Sequence, residues 1–457
     1  MYRLALSYLK EWRTRASRKP LVIRGARQIG KSFLVRMLAK QQFDNVLEIN
    51  FEQTPDAASL FTSKQPREIV SQLEARFDTS LMPGRSLLFL DEIQAAPDVL
   101  AALRYFHEKL PELHVICAGS LLEFILEEHS FSMPVGRIEY LHLGPMTFEE
   151  FLLAVNRDKL REWLCNYQME DEVPDAIHNE LLRLLRQYLV VGGMPEAVAA
   201  FAEDESYREC ERVQQSILST YRDDFSKYAS KVQHRRVEKV FAGVPRLVGQ
   251  KFMYSHIDRE ERSRDLSKAL HMLCLARVCH QVRHTHANGV PLAAEADDRN
   301  FKVLFLDVGM LCRSLGLNIV DINNSPDMLL VNSGAVAEQF VGQHLLYSGD
   351  FYEEPELHCW MRQKKNSNAE IDYIQAAGPT IIPVEVKAGK TGTLKSLHFF
   401  VQNKESTFAL RFNSDTPSFC NCRTALATGA RKPFRLLSLP LYLVGQAQRL
   451  GRACMIV

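Results

Sequence analysis

The chain has 457 residues, enough for about three domains. Hydrophobic residues make up 46% and charged residues 24%, which excludes a disordered or collagen-like polymer and points to packed cores. Lys and Arg number 56 against 55 Asp and Glu, and the formal charge of +1 excludes a surface that is cationic throughout; any nucleic-acid contact must be local. Apolar runs such as Ala197–Ala202 fall far short of the ~20 residues of a membrane span. The N-terminal MYRLALSYLKEWRTR carries charge throughout and has no apolar signal core. A cytoplasmic protein without membrane contact is expected. The ten cysteines are scattered, and Cys420 and Cys422 form a lone CxC with no second pair or His cluster nearby, so free thiols are expected.

Residues 1–150 alternate apolar runs with amphipathic stretches. Strands are predicted at Leu21–Gly25, Asn45–Glu52, Ser86–Glu92, His114–Ser120 and Ile138–Leu143, with a helix from Lys31 to about Gln41. Strands this apolar, separated by helices, imply an α/β unit whose parallel sheet is covered on both faces. From Glu149 to about Tyr228 the pattern is helical, broken at Gly192-Gly193-Met194-Pro195, and predicts a small helical subdomain. Lys227–Arg283 holds 13 Lys or Arg against 5 Asp or Glu, a local basic excess. In Ser263–Val282 apolar residues recur at helical spacing, with a basic opposite face and Ser263 as a natural N-cap. This helix, the one near Val237–Val248 and the VCHQV strand suggest a winged helix-turn-helix; Arg235, Arg236, Arg262, Arg264 and Lys268 are its candidate DNA contacts. A packing module between larger domains is the competing reading. His286–Leu292 and Glu295–Asn300 carry turn signals, placing a boundary near residue 290–300, after which strands return at KVLFLD, EIDYIQ and TIIPVEVK. The expected division is 1–150, 151–226, 227–292 and 293–457.

Gly25-Ala26-Arg27-Gln28-Ile29-Gly30-Lys31-Ser32 fits GxxxxGK[ST] between a predicted strand and a predicted helix. Glycines let the backbone wrap a phosphate, and amides at the helix N-terminus bind the anion. Lys31 is expected on the β- and γ-phosphates of ATP and Ser32 on Mg²⁺. Leu87–Leu90 then lead into Asp91, a second Mg²⁺ ligand, and Glu92, the base for the attacking water. Ser120 ends the next strand, where its hydroxyl is expected near the γ-phosphate or the water; an N-cap is the competing role. Arg137 precedes the fifth strand and is a candidate arginine finger toward a neighbouring subunit, so a homo-oligomer is expected.

Asp372, in EIDYIQ, and Glu385 and Lys387, in TIIPVEVK, form a D…ExK pattern with twelve residues between the two acids. Two carboxylates at the ends of paired strands can hold Mg²⁺, and a lysine beside them can orient a water toward phosphate. An alternating edge strand is the competing reading of the same letters.

RKPLVIRGARQIGKS, LLFLDEIQ, AGSLLEF, GRIEYLHLGPMTFEEF and GGMPEAV together resemble a prokaryotic family of AAA+-type P-loop ATPases. KVLFLDVGML, AVAEQFV and AEIDYI…PVEVKAG resemble that family's C-terminal domain, which is related to PD-(D/E)XK nucleases. The resemblance covers nearly the whole chain. It implies an AAA+-like parallel-sheet core, a helical lid, a winged-helix middle region and a C-terminal α/β restriction-endonuclease-like domain. It also places Glu338, on a predicted helix, as a third acid of the metal site.

Two functions follow. In one, a DNA-associated ATPase drives a nuclease-like domain; in the other, ATP orders an interaction switch whose C-terminal domain binds a partner without cutting. The complete Asp372/Glu385/Lys387 set favours the first.

Overall fold

Contacts divide the chain into two units: Met1–Gly144 with Leu275–Arg277 and Gly349–Pro355, and the remainder. This is a computed structural model, and it describes every residue except 121–135, 229–230, 318–332, 363–368, 390–392, 426–430 and 457. The expected AGSLLEF motif therefore lies only in part within the described residues. Among these, no helix is long and apolar enough to cross a membrane.

In the first unit five strands form one sheet: β1 (Leu21–Arg24), β2 (Asn45–Asn50), β3 (Ser86–Asp91), β4 (His114–Ala118) and β5 (Glu139–His142), in the order β2-β3-β4-β1-β5. Every pair is parallel. Each strand lies where its apolar run predicts it, within two residues at either end. β3 and β4 are buried along their whole length, because a parallel sheet needs cover on both faces. Helices α1 (Ala5–Thr14), α2 (Lys31–Gln42), α3 (Pro66–Phe77) and α4 (Asp98–Lys109) accompany the strands. The core of β2, β3 and β4 packs on α3 and α4 through Leu47, Leu88, Leu90, Ile69, Leu73, Val99 and Phe106.

The second unit begins with helices: α5 (Phe148–Ala154), α6 (Asp158–Asn166), α7 (Asp175–Val191), α8 (Pro195–Asp204), α9 (Tyr207–Tyr228), α10 (Lys231–Leu247) and α11 (Ser263–Leu275). Thr147 and Glu150 close a reciprocal capping box at the start of α5. Strands β6 (Cys279–Thr285) and β7 (Ala296–Phe305) follow, then α12 (Val308–Ser314), α13 (Ser333–Leu346), β8 (His358–Met361), β9 (Glu370–Ala377), β10 (Thr380–Val386), α14 (Lys395–Asn403), β11 (Phe408–Asn413), β12 (Ser418–Arg423), β13 (Pro433–Pro440) and α15 (Ala447–Ile456). The eight strands form one mixed sheet, β12-β13-β11-β10-β9-β8-β6-β7.

Two observations differ from the sequence expectation. The VCHQV strand becomes β6, which pairs with β7 and β8 of the large sheet, so the boundary expected near residue 290–300 falls inside a hairpin. Glu295–Asn300, expected as turn, lies mostly in β7. The turn chemistry survives as an irregularity: Arg283 pairs with Phe301 but His284 with Asp297, which leaves residues 298–300 unmatched. There the Asp297 carboxylate accepts from the Arg299 amide at 2.9 Å and Asn300 Nδ2 at 2.6 Å.

Asp307, fully buried between β7 and α12, ties the second unit together. It accepts from the amides of Gly193 (2.6 Å) and Met310 (3.1 Å) and from Gln343 Nε2 (3.3 Å). Burial pushes its carboxyl up, opposed by these donors. Gly192 bends with φ 73°, and a Cβ there would collide with the Asp307 carboxylate. Gln343 Oε1 also accepts from the Val308 amide at 2.9 Å, and Gln339, one turn earlier on α13, binds both the N–H (2.8 Å) and C=O (2.7 Å) of Phe305. Asp307→Asn replaces one acceptor oxygen by a donor that faces other donors. It should cost about 3 kcal/mol, the scale of a broken buried charged network, read as a lower urea midpoint at unchanged slope.

Candidate nucleotide site and carboxylate cluster

Parallel pairing brings the C-terminal ends of β1, β3 and β4 to one edge of the sheet, and the phosphate loop, Asp91-Glu92 and Ser120 stand there. Gly25 adopts φ 151°, Gln28 62° and Gly30 85°, so the loop turns through left-handed conformations before α2 starts at Lys31. A Cβ on Gly25 would collide with Leu143 O and Ile29 Cδ1. Ala26, Arg27 and Ile29 complete the loop; Ala26 and Ile29 are buried, and Arg27 lies 3.6 Å from Glu52. Lys31 Nζ donates to the carbonyls of Gly25 (2.9 Å) and Ala26 (2.8 Å), which holds its charge over the loop. Arg3, unnoticed in the sequence, is buried and donates to Ile29 O (2.7 Å) and Gly144 O (2.8 Å), bracing the loop from outside the motif.

Ser32 Oγ donates to Asp91 Oδ2 at 2.8 Å. Burial raises the Asp91 carboxyl, with Ser32 pulling it down and Glu92 pushing it up. Hydroxyl and carboxylate thus present hard oxygens side by side, a donor set that fits Mg²⁺. Glu92 takes a left-handed backbone, φ 50° and ψ 46°, uncommon for a residue with a side chain. Its Oε2 accepts from Gln94 Nε2 at 2.6 Å and from Ser120 Oγ at 3.4 Å. Ser120 is therefore a neighbour of Glu92. Gln94 was not among the expected site residues, although it stands in the quoted LLFLDEIQ.

Arg137 lies at the other end of the sheet. It precedes β5, whose Glu139 is level with Leu21, so Arg137 stands opposite Lys19, ~20 Å from Gly25 at strand rise. Its Nε donates to Glu108 Oε1 at 2.9 Å on an exposed surface.

In the second unit Asp372 on β9 and Glu385 on β10 belong to antiparallel neighbours in which Tyr373 pairs with Val384. The next pair outward is Asp372 with Glu385, and opposed residues share a face. Asp372 Oδ2 accepts from the Val386 amide at 2.8 Å, and Lys387 Nζ lies 2.5 Å from Glu385 Oε1. Glu338 approaches from α13, and Tyr373 OH donates to its carbonyl at 2.7 Å. Sequence reasoning missed Lys302 on β7. Its ammonium lies 3.2 Å from Glu338 Oε2, 3.3 Å from Asp372 Oδ1 and 3.7 Å from Glu370 Oε1. Burial opposes that charge, yet Glu338, Asp372 and Glu370 hold it well above the ordinary lysine value. Burial, then Asp372, pushes Glu338 up to about 8 and Glu385 up to about 7. Lys302 therefore stands between Glu338 and Asp372, and Lys387 pairs separately with Glu385. Among the described residues no three His, Cys, Asp or Glu side chains stand ready to share one ion. Glu385 Oε2, buried without a hydrogen-bond partner, is the oxygen that fits a cation.

The basic residues of the middle segment divide in two. Arg235, Arg262, Arg264 and Lys268 are exposed. Arg236 is instead paired with Glu261 (2.8 Å) and Asp265 (3.0 Å).

Residues 17–152 match the family model of the AAA domain. This segment, which carries the phosphate loop and the acidic pair, is similar to the AAA domain. Residues 182–320 and 333–421 match two domains of unknown function, DUF8612 and DUF4143. No curated protein matches the chain. Similar solved structures include a Walker-type ATPase of Pyrococcus abyssi, 15% identical over 68% of this chain and 94% of that one with a TM-score of 0.41. The ORC2 protein of Aeropyrum pernix is 13% identical over 71% and 95%, with a TM-score of 0.35. RuvB of Thermotoga maritima is 14% identical over 61% and 87%, with a TM-score of 0.26.

The crowding at Gly25 makes a sharp test. Gly25→Ala should weaken nucleotide binding by roughly 100-fold or more, about the 3 kcal/mol of a lost charged contact, measured by titration with a fluorescent ATP analogue.

Proposed function

We propose that the chain is an ATP-hydrolysing, self-assembling AAA+-type protein, cytoplasmic and DNA-associated, that couples hydrolysis to a nuclease-like C-terminal domain. The observation that carries the ATPase part is the Ser32–Asp91 hydrogen bond beside Glu92, Gln94 and Ser120, all on the edge that carries the phosphate loop. The loop amides hold the phosphates, and Lys31 faces the β- and γ-phosphates. Ser32 and Asp91 would hold Mg²⁺, which supplies charge neutralisation at the transferring phosphoryl group. Glu92 takes the proton of the attacking water, while Gln94 and Ser120 fix its carboxylate. Arg137, remote from its own loop, serves the γ-phosphate of another copy.

The division into a core at 1–150, a helical subdomain at 151–226, a basic segment from 227 and a nuclease-like domain that takes in β6 ahead of residue 293 belongs to the same reading. Arg235, Arg262, Arg264 and Lys268 contact DNA phosphates, and Arg236 orients the segment through Glu261 and Asp265. In the last domain Asp372 and Glu385, joined by Glu338 only where Lys302 withdraws, would hold Mg²⁺, a Lewis acid for phosphodiester chemistry, and Lys387 steadies the attacking oxygen. A second reading is favoured by one observation: Lys302 already pairs with two of those acids. In it the domain binds a partner and does not cut, and ATP acts as the switch.

Glu92→Gln should leave ATP binding intact and slow hydrolysis by roughly 10²–10⁴-fold, the usual worth of a general base. A wild-type rate would remove Glu92 from that role. Duplex DNA should stimulate the wild-type rate, and Arg262→Glu with Arg264→Glu should abolish the stimulation. Indifference of the wild-type rate to DNA would favour the switch.

Arg137→Ala mixed with Lys31→Ala should recover activity that neither has alone, because each supplies the part the other lacks. Verified mixed oligomers without recovery would make Arg137 a surface residue.

A further inference from the structure

Lys302 has no part in the coupled ATPase and nuclease-like chemistry. Its side chain is only 3% exposed, and its ammonium touches Glu338 Oε2 at 3.2 Å and Asp372 Oδ1 at 3.3 Å, with Glu370 Oε1 at 3.7 Å. A lysine is rarely buried to this degree, and a buried charge persists only where it is paired. Around it each polar atom of the two central acids has a defined partner but one. Asp372 Oδ2 takes the Val386 amide, Glu385 Oε1 takes Lys387, and Glu385 Oε2 is buried with none.

A divalent ion spanning Asp372 and Glu385 satisfies that oxygen. It then needs Asp372 Oδ1, the atom that faces Lys302. Two cations cannot share one buried carboxylate oxygen without strong repulsion, since screening there is weak. A lysine stem is long and flexible enough to withdraw.

We propose that Lys302 is the resident cation of this cluster and competes with a divalent metal ion for Asp372 Oδ1 and Glu338 Oε2. The ion enters only as the ammonium leaves. Without it, Lys302 lets carboxylates that would repel one another pack together, so the domain folds with its acids neutralised by its own chain. This inference rests on reading the cluster as a divalent-cation site, and it adds an occupant that holds the site closed.

The test is calorimetric titration of Mn²⁺ into the nucleotide-free full chain. Weak binding at Ser32 and Asp91 is common to all variants and cancels in the comparison. Lys302→Met should bind Mn²⁺ roughly tenfold or more tightly than wild type, and adding Glu385→Gln should remove the gain. Glu370→Gln loosens the hold on Lys302 while leaving Glu338, Asp372 and Glu385 in place, and it should raise Mn²⁺ affinity by a smaller factor. If wild type binds Mn²⁺ and Lys302→Met binds it equally or less tightly, Lys302 supports the site and the proposal is overturned, while the cation-site reading stands. If wild type and every variant bind no Mn²⁺ beyond the common background, the cation-site reading itself falls. Should Lys302→Met fail to fold, Glu370→Gln decides: a gain supports the competition, and no change or a loss overturns it.

Discussion

Parallel pairing of five strands puts all their C-terminal ends on one edge of the first sheet, and the nucleotide site is a consequence of that edge. The phosphate loop follows β1, the acidic pair follows β3 and Ser120 follows β4. No two of these segments are close in sequence. Because β4 lies between β1 and β3, Ser120 is carried to the flank of Glu92, and the hydrogen bond between them follows from strand order. The same geometry removes Arg137. A residue before a parallel strand is at the opposite edge from one that follows it, so nothing in this chain's own sheet can bring Arg137 to its loop.

The mixed sheet of the second unit obeys a different constraint, the cost of burying charge. Asp307 is buried because amides and an amide side chain converge on it; Asp372 is buried and Glu338 half-buried with Lys302 between them. α13 joins the two arrangements. Gln339 and Gln343 grip the backbone at Phe305 and Val308, and Glu338, one residue before Gln339, reaches Lys302. The polar residues of one helix thus fix both the corner after β7 and the carboxylate cluster.

Much of the first unit was legible because its signals are local. Apolar runs of four to six residues gave all five strands, and the loop motif needs only eight consecutive letters. Glu92 and Ser120 were legible as residues that end strands; Gln94 was not, because its role depends on a left-handed turn at Glu92. Arg3 was not legible either, since its partners are Ile29 and Gly144 and no spacing connects them. In the second unit the D…ExK pair was visible from strand alternation. Lys302 was hidden within KVLFLD, where a lysine among apolar letters reads as the exposed side of an edge strand. The packing of α13 against β7, with Glu338 on that helix and Asp372 across the sheet on β9 as its partners, turns it inward. The turn letters at Glu295–Asn300 misled for a related reason: they mark an irregularity inside a strand pair, and local chemistry does not distinguish that from a loop.

The two carbonyls held by Arg3 have a consequence for the order in which the molecule is made. One belongs to the phosphate loop and the other to Gly144, so a residue near the start of the chain links a motif synthesised early to a position synthesised more than a hundred residues later. β1 also waits, since both its partners, β4 and β5, follow it by about ninety residues or more. On the ribosome the loop sequence emerges long before the surroundings that give it shape. Contacts of such separation slow folding and leave apolar strands uncovered in the interval. The segment that binds nucleotide is therefore among the first parts of the unit to be translated and among the last to acquire its form.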